Sequence, residues 1–179
     1  MQNETIGKEK LLGFLMQADK MLAGKIRVNA VGGTGLTLLN AKDTTKDIDF
    51  DFSKEDEKEF KKALSRLPPH GLRIDFFTDG MIFSQKLPKD YEKHCVPIKT
   101  NLKNTQLFSL NPIDIIATKI GRLNDRDIED IRACIEKFRI TKKQVEKRGK
   151  QIEYVGHEET YKSNLEFVLK NFFKKKKNP

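Results

Sequence analysis

Two short stretches decide the reading of this chain: Val31-Gly32-Gly33-Thr34-Gly35, and Asp47-Ile48-Asp49-Phe50-Asp51-Phe52 a little further on. From Asp47 to Phe52 acids alternate with apolar side chains. Residues two apart in a β-strand point to the same face. Asp47 and Asp49 therefore present their carboxylates side by side, while Ile48, Phe50 and Phe52 enter the core behind them. Two clustered anions on a rigid strand repel each other, and a divalent cation removes that cost. Magnesium, which prefers carboxylate and phosphate oxygens, is the expected guest, with manganese as its substitute. Asp51 shares the face, one step past the pair, and is expected to look into solvent.

The glycine turn lies upstream of that strand. Residues 26 to 31 alternate as a short strand, and 35 to 39 read as the start of a helix. Glycines let the backbone approach an anion without a Cβ in the way, free amides at a helix start favour negative charge, and Thr34 adds a hydroxyl. Gly-Gly-Thr-Gly is neither the dinucleotide fingerprint nor a Walker loop. Alone it would be a plain strand-to-helix turn; the acidic strand beside it turns it into a candidate phosphate cradle. A third acid follows in Leu72-Arg73-Ile74-Asp75-Phe76-Phe77, where Asp75 interrupts an otherwise apolar strand.

Gly32-Gly33-Thr34 followed by Asp47-x-Asp49, with a later strand acid, resembles the signature of the DNA polymerase beta-like nucleotidyltransferase superfamily. The resemblance implies nucleotide binding by Gly32, Gly33 and Thr34, and a metal site of Asp47, Asp49 and Asp75. It also implies that Asp75 takes the proton of an attacking hydroxyl. Further on, Asn111-Pro112-Ile113-Asp114-Ile115-Ile116-Ala117-Thr118-Lys119-Ile120 and Arg126-Asp127-Ile128-Glu129-Asp130-Ile131 look like AbiEii-type nucleotidyltransferases, a group that includes toxins of bacterial toxin–antitoxin and abortive-infection systems. By that likeness Lys119 contacts nucleotide phosphates and Asp130 supports the active centre, so both join Asp47, Asp49 and Asp75 as catalytic candidates. The residues also admit a bland reading. Asn111 and Pro112 make a helix cap and first position, Ile113, Ile116 and Ile120 form an apolar stripe, and Asp127 and Asp130 are then solvated acids. Which of these two acids turns toward a cleft stays open, since three residues apart they share a helix side. The resemblance covers about residues 8 to 137.

What it implies is transfer of a nucleoside monophosphate from a nucleoside triphosphate to an acceptor hydroxyl, with release of pyrophosphate. The implied acceptor is a structured RNA, the 3′ end of tRNA above all, and a toxin would have an antitoxin, either a partner protein or a kinase that modifies a site hydroxyl such as Thr34. Two alternatives stand beside it: an antibiotic-type enzyme acting on a small hydroxyl compound, and a non-catalytic nucleotide- or RNA-binding module of the same fold.

Composition agrees with an anionic partner. The 179-residue chain carries 35 Lys and Arg against 26 acids, a net charge of +9, and the surplus gathers late, at Lys142-Lys143, Lys147-Arg148, Lys150 and Lys174 to Lys177. A solvated tail would look the same. No apolar run reaches membrane-spanning length, so no membrane partner is expected. Met1 to Lys10 is polar, unlike a secretory leader, and Cys95 and Cys134 have neither metal nor redox spacing. His70, His94 and His157 are scattered. A reduced cytoplasm is the expected location.

The remaining pattern gives an opening helix from about 4 to 23 and a second helix capped by Ser53, with Phe60, Leu64 and Leu67 buried. Asp79-Gly80 turns the chain into a hairpin strand at 81 to 83, and 91 to 98 reads as an edge strand because of Pro97. Helices follow at 112 to 122, 126 to 137, 141 to 150 and 158 to 173. The expected fold is α+β or α/β: a small mixed sheet carrying three acids, flanked by helices. Residues 1–110 form its core, 111–173 a helical C-terminal portion packed on it, and 174–179 a basic tail.

Overall fold

The computed structural model of the protein describes residues 5–156 and 158–173; His157 and the basic run from Lys174 lie outside them. Chain order begins β1 (Ile6–Gly7), α1 (Lys8–Met21), β2 (Ile26–Ala30), α2 (Gly32–Leu38), β3 (Thr44–Thr45), β4 (Ile48–Phe52), α3 (Lys54–Leu64) and β5 (Ile74–Thr78). It continues with β6 (Met81–Ile82), β7 (Gln85–Lys86), α4 (Tyr91–His94), β8 (Val96–Pro97) and β9 (Thr105–Ser109). The last part comprises α5 (Pro112–Ile120), α6 (Asp125–Phe138), α7 (Lys142–Gly149), β10 (Glu153–Tyr154) and α8 (Glu158–Asn171).

Eight strands form one mixed sheet in the order β10-β7-β6-β5-β4-β2-β9-β8, while β1 and β3 pair separately. The centre decides the site. β4 runs antiparallel to β2 and parallel to β5, which sets Asp49 opposite Asp75. The alternation in β4 works as expected on its apolar side: Ile48, Phe50 and Phe52 are buried with Phe14 and Leu15 of α1 and Phe60 of α3. Phe60 sits edge-on to Phe50, with ring centroids 5.9 Å apart, and 5.2 Å from Phe52. Burial of one such ring is worth roughly 2–3 kcal/mol, so this aromatic cluster anchors the strand that carries the acids. A second core joins Leu36 of α2 to Ile115, Ile116, Ile120, Ile131, Leu165 and Val168 of α5, α6 and α8.

Local signals set the helix starts. The Ser53 hydroxyl accepts from Asp56 N–H at 3.1 Å and opens α3, while the Asn111 side chain accepts from Ile113 N–H at 2.9 Å with Pro112 at the first position of α5. The four late helices fall where the sequence puts them. Other expectations are corrected. The opening helix begins at Lys8, and the helix after the glycine turn begins at Gly32 rather than 35. Residues 91 to 98 split into the helical turn α4 and the two-residue edge strand β8, which does contain Pro97. β9 has no counterpart in the sequence reading yet lies inside the sheet, parallel to β2, and β10 brings the C-terminal portion onto the sheet edge.

Asp51 is the clearest correction. It is not solvent-facing but fully buried. Its carboxylate accepts from Gly80 N–H at 2.9 Å, from the Tyr91 hydroxyl at 2.8 Å and from the Asn29 amide at 3.4 Å. Burial raises the pKa of its carboxyl, against the pull of these bonds. The turn after β5 and the helical turn α4 cover this part of the face. No helix among the described residues is long and apolar enough to cross a membrane.

Candidate functional site

The glycine turn and the acidic strand are stitched together by Thr34. Its buried hydroxyl donates to the Asp47 carbonyl at 3.2 Å and accepts from Asp49 N–H at 2.9 Å, so it faces β4 rather than solvent. Thr45 also donates to the Asp47 carbonyl, at 3.0 Å. Gly32 adopts φ +52°, and a Cβ on Gly33 would stand 2.7 Å from the Thr45 hydroxyl. Both positions need glycine for the turn to press this closely against β3 and β4.

Beside that turn lies a cleft of about 570 Å³ whose wall includes Gly33, Asp47, Asp49, Asp75, Lys119, Asp127 and Asp130. It brings together Asp47, Asp49, Asp75 and the α6 acids Asp127 and Asp130, but not Asp51. Asp47 and Asp75 are about 38% and 37% exposed, whereas Asp49 is only 8% exposed. Burial, then the charges of Asp75 and Asp47, push the Asp49 carboxyl up to about 7, against the opposing pull of Lys119 and Arg122.

Lys119 projects from α5 into an ion cluster. Its ammonium lies 2.9 Å from Asp127 and 2.8 Å from Asp130, with all three side chains buried. Arg122 reaches Asp127 at 2.9 Å and Lys42 reaches Asp130 at 2.8 Å. Both acids of α6 therefore face the cleft, and neither is solvated. Asn124 caps α6 by accepting from Asp127 N–H at 3.0 Å, which fixes the acid beside the lysine. One oxygen of Asp127, Oδ2, is buried without a hydrogen-bond partner.

Several site residues escaped the sequence reading. Arg73, 71% exposed, lies 3.2 Å from Asp75 and 3.8 Å from Asp47. Lys42, Lys46, Arg122 and Arg126 line the same cleft, as do Phe77 and Phe83. The alternating Arg73-x-Asp75 pattern carried the signal for Arg73, since both residues share a strand face. By contrast, Cys95 and Cys134 stay outside the cleft, and burial pushes their thiols up to about 11 and about 12. Neither suits a nucleophile.

The donor set can be tested against a divalent cation. Among the described residues, no three His, Cys, Asp or Glu side chains are drawn close enough to hold a metal as they stand. Arg73 instead bridges the two exposed acids. Exposed ion pairs are worth about 0–1 kcal/mol, whereas burial first, and then the charges of Asp75 and Asp47, oppose ionisation of Asp49. A cation held there would have to displace Arg73 and draw the three carboxylates together. By donor type, the carboxylates of Asp47, Asp49 and Asp75 match the oxygen ligands that hard cations take.

Residues 9–178 match the model of a family described as nucleotidyltransferases of unknown function (DUF6036), and the chain belongs to that family. No curated protein and no solved structure matches it.

Proposed function

We propose that this member of a nucleotidyltransferase family moves a nucleoside monophosphate from a nucleoside triphosphate to an acceptor hydroxyl, with release of pyrophosphate. One observation carries the reading: Asp49 and Asp75, opposite one another on adjacent parallel strands, share with Asp47 a cleft whose wall also holds the exposed Lys46, Arg73 and Arg126. Acids that gather a cation stand among cations that suit phosphate.

In the proposed reaction the acceptor oxygen attacks the α-phosphorus, and the bond from that phosphorus to the bridging oxygen breaks as pyrophosphate leaves. The half-exposed Asp75 receives the hydroxyl proton. Magnesium or manganese held by Asp47, Asp49 and Asp75 would, when bound, neutralise charge on the entering and leaving oxygens. The exposed cations Lys46, Arg73 and Arg126 orient the triphosphate, beside the Gly33 backbone. Lys119 acts mainly through its fixed charge, which favours ionised Asp49; it reaches phosphate only by leaving Asp127 or Asp130.

The AbiEii-type assignment extends this reading. Lys119 and Asp130, the residues that carry the likeness, are joined in the ion cluster of the cleft. The acceptor is then the 3′ end of tRNA, and the protein a toxin held in check by an antitoxin. The net charge of +9 and the exposed Lys142, Lys143 and Lys147 on α7 support a polyanionic acceptor over a cationic antibiotic. The test is pyrophosphate release from each nucleoside triphosphate, with magnesium and with or without tRNA, by wild type and Asp75→Asn. Release that needs metal, acceptor and Asp75 supports the proposal; release unchanged in Asp75→Asn sinks the assigned site.

A further inference from the structure

The acids and exposed cations account for metal and phosphates but leave the nucleobase without a seat. Phe77, Phe83 and Arg122 line the same cleft. Phe50, Phe52 and Phe60 are sealed inside the core, but Phe77 and Phe83 remain half-buried and end at the cleft wall. Their rings meet edge to face, centroids 4.8 Å apart. The Arg122 guanidinium carbon lies 3.6 Å above the centre of the Phe83 ring, while its Nη2 donates to Asp127 at 2.9 Å. Phe83 is also close to the acids: a Cβ placed on Gly32 would touch both its ring, at 3.6 Å, and Asp49 Oδ2, at 3.3 Å.

The backbone holding these side chains adopts an uncommon form. Phe83 and Ser84 form the tip between β6 and β7 at φ +49° and +66°, and Leu123, beside Arg122, lies at φ +46°. Tight hairpin turns of this hand favour Asn and Gly, and a bulky aromatic in the left-handed region is an outlier. Such conformations persist where surrounding structure enforces them, and they gather at ligand sites. Here the enforcing residue is the buried Gln85. Its amide donates to the Phe83 carbonyl at 2.6 Å and abuts Gly121, where any Cβ would overlap it. Gln85 thus packs the Phe83 turn against Gly121, the residue before Arg122.

We infer that Phe83, Arg122 and Phe77 form the nucleobase subsite, the base stacking on the guanidinium that Phe83 backs, with Phe77 as the side wall. The inference rests on the nucleotide-transfer reading and names the substrate contact it lacks. Because every base has a π-face, stacking of this kind is base-tolerant. A planar guanidinium can provide it and an ammonium cannot.

The experiment is equilibrium binding of ATP, GTP, CTP, UTP and inorganic tripolyphosphate, with magnesium, to the full chain. Wild type is compared with Phe83→Leu, Phe83→Tyr and Arg122→Lys, after thermal unfolding confirms that each variant folds. Phe83→Leu and Arg122→Lys should each weaken all four nucleotides about tenfold and leave tripolyphosphate unchanged, while Phe83→Tyr should bind like wild type. Equal losses for nucleotide and tripolyphosphate, or unchanged nucleotide binding by Phe83→Leu, overturn the subsite. So does an effect seen only on the acceptor's KM. Wild type that binds neither ligand defeats both this inference and the transfer reading. Phe83-dependent nucleotide binding without pyrophosphate release defeats the transfer reading alone.

Discussion

Replacing Asp49 by Asn should stabilise the metal-free protein at alkaline pH and leave it unchanged in acid. Asp49 is buried against Asp75 and Asp47, and its carboxyl is pushed from 3.8 up to about 7. Between those values the folded chain keeps a proton that the unfolded chain has released. Stability therefore falls as pH rises through that window. The displacement from 3.8 to about 7, at 1.36 kcal/mol per pH unit, amounts to about 4 kcal/mol. Asn keeps the shape and carries no charge. The variant should be level with wild type below pH 4 and more stable by up to about 4 kcal/mol at pH 8, or about 8–16 °C in Tm for a chain of this size. Thermal unfolding followed by circular dichroism in chelator, from pH 4 to 9, reads this directly. Magnesium should then raise the Tm of wild type at pH 8 and not that of Asp49→Asn. A gap that does not vary with pH, or a variant less stable than wild type at pH 8, refutes the reasoning.

Four further outcomes follow from the same geometry. Asp51→Ala leaves the Tyr91 hydroxyl, Gly80 N–H and Asn29 amide without their acceptor, and should cost about 3–5 kcal/mol in urea unfolding. Lys119→Met removes the cation between Asp127 and Asp130; a loss of about 3–5 kcal/mol is expected in urea unfolding. Ser53→Ala deletes the α3 cap and should cost about 1 kcal/mol with nucleotide binding intact, a control for changes far from the cleft. If the toxin reading holds, induced expression of wild type arrests bacterial growth and Asp49→Asn does not, as colony counts after induction would show.

The acids of the site were legible because strand alternation is a strong local signal. Ile48, Phe50 and Phe52 on one face fix Asp47 and Asp49 on the other, and Asp75 announces itself within an apolar strand. Register adds what alternation cannot: only the parallel pairing of β4 with β5 puts Asp49 level with Asp75. Asp51 shows the limit. Alternation gives the face on which a side chain lies but not what covers that face, and Tyr91, forty residues away in sequence, turns an expected surface acid into a buried one. The same limit applies to α5 and α6, where spacing puts Asp127 and Asp130 on one side but cannot show that Lys119 sits between them. β9 went unread because Thr105–Ser109 buries only part of its side chains and lacks a marked apolar face. Phe83 and Arg122 went unread because two turns distant in sequence must meet before an aromatic and a guanidinium become one surface.

Nucleotidyl transfer onto RNA is tested most directly by incubating the purified protein with each labelled nucleoside triphosphate, magnesium and total tRNA, beside Asp49→Asn. Label on RNA with wild type alone, for one or more nucleotides, is the expected result and would identify the base transferred. Label appearing equally with Asp49→Asn, or no label on RNA despite magnesium-dependent nucleotide binding, would contradict the assignment of this cleft to nucleotidyl transfer onto RNA.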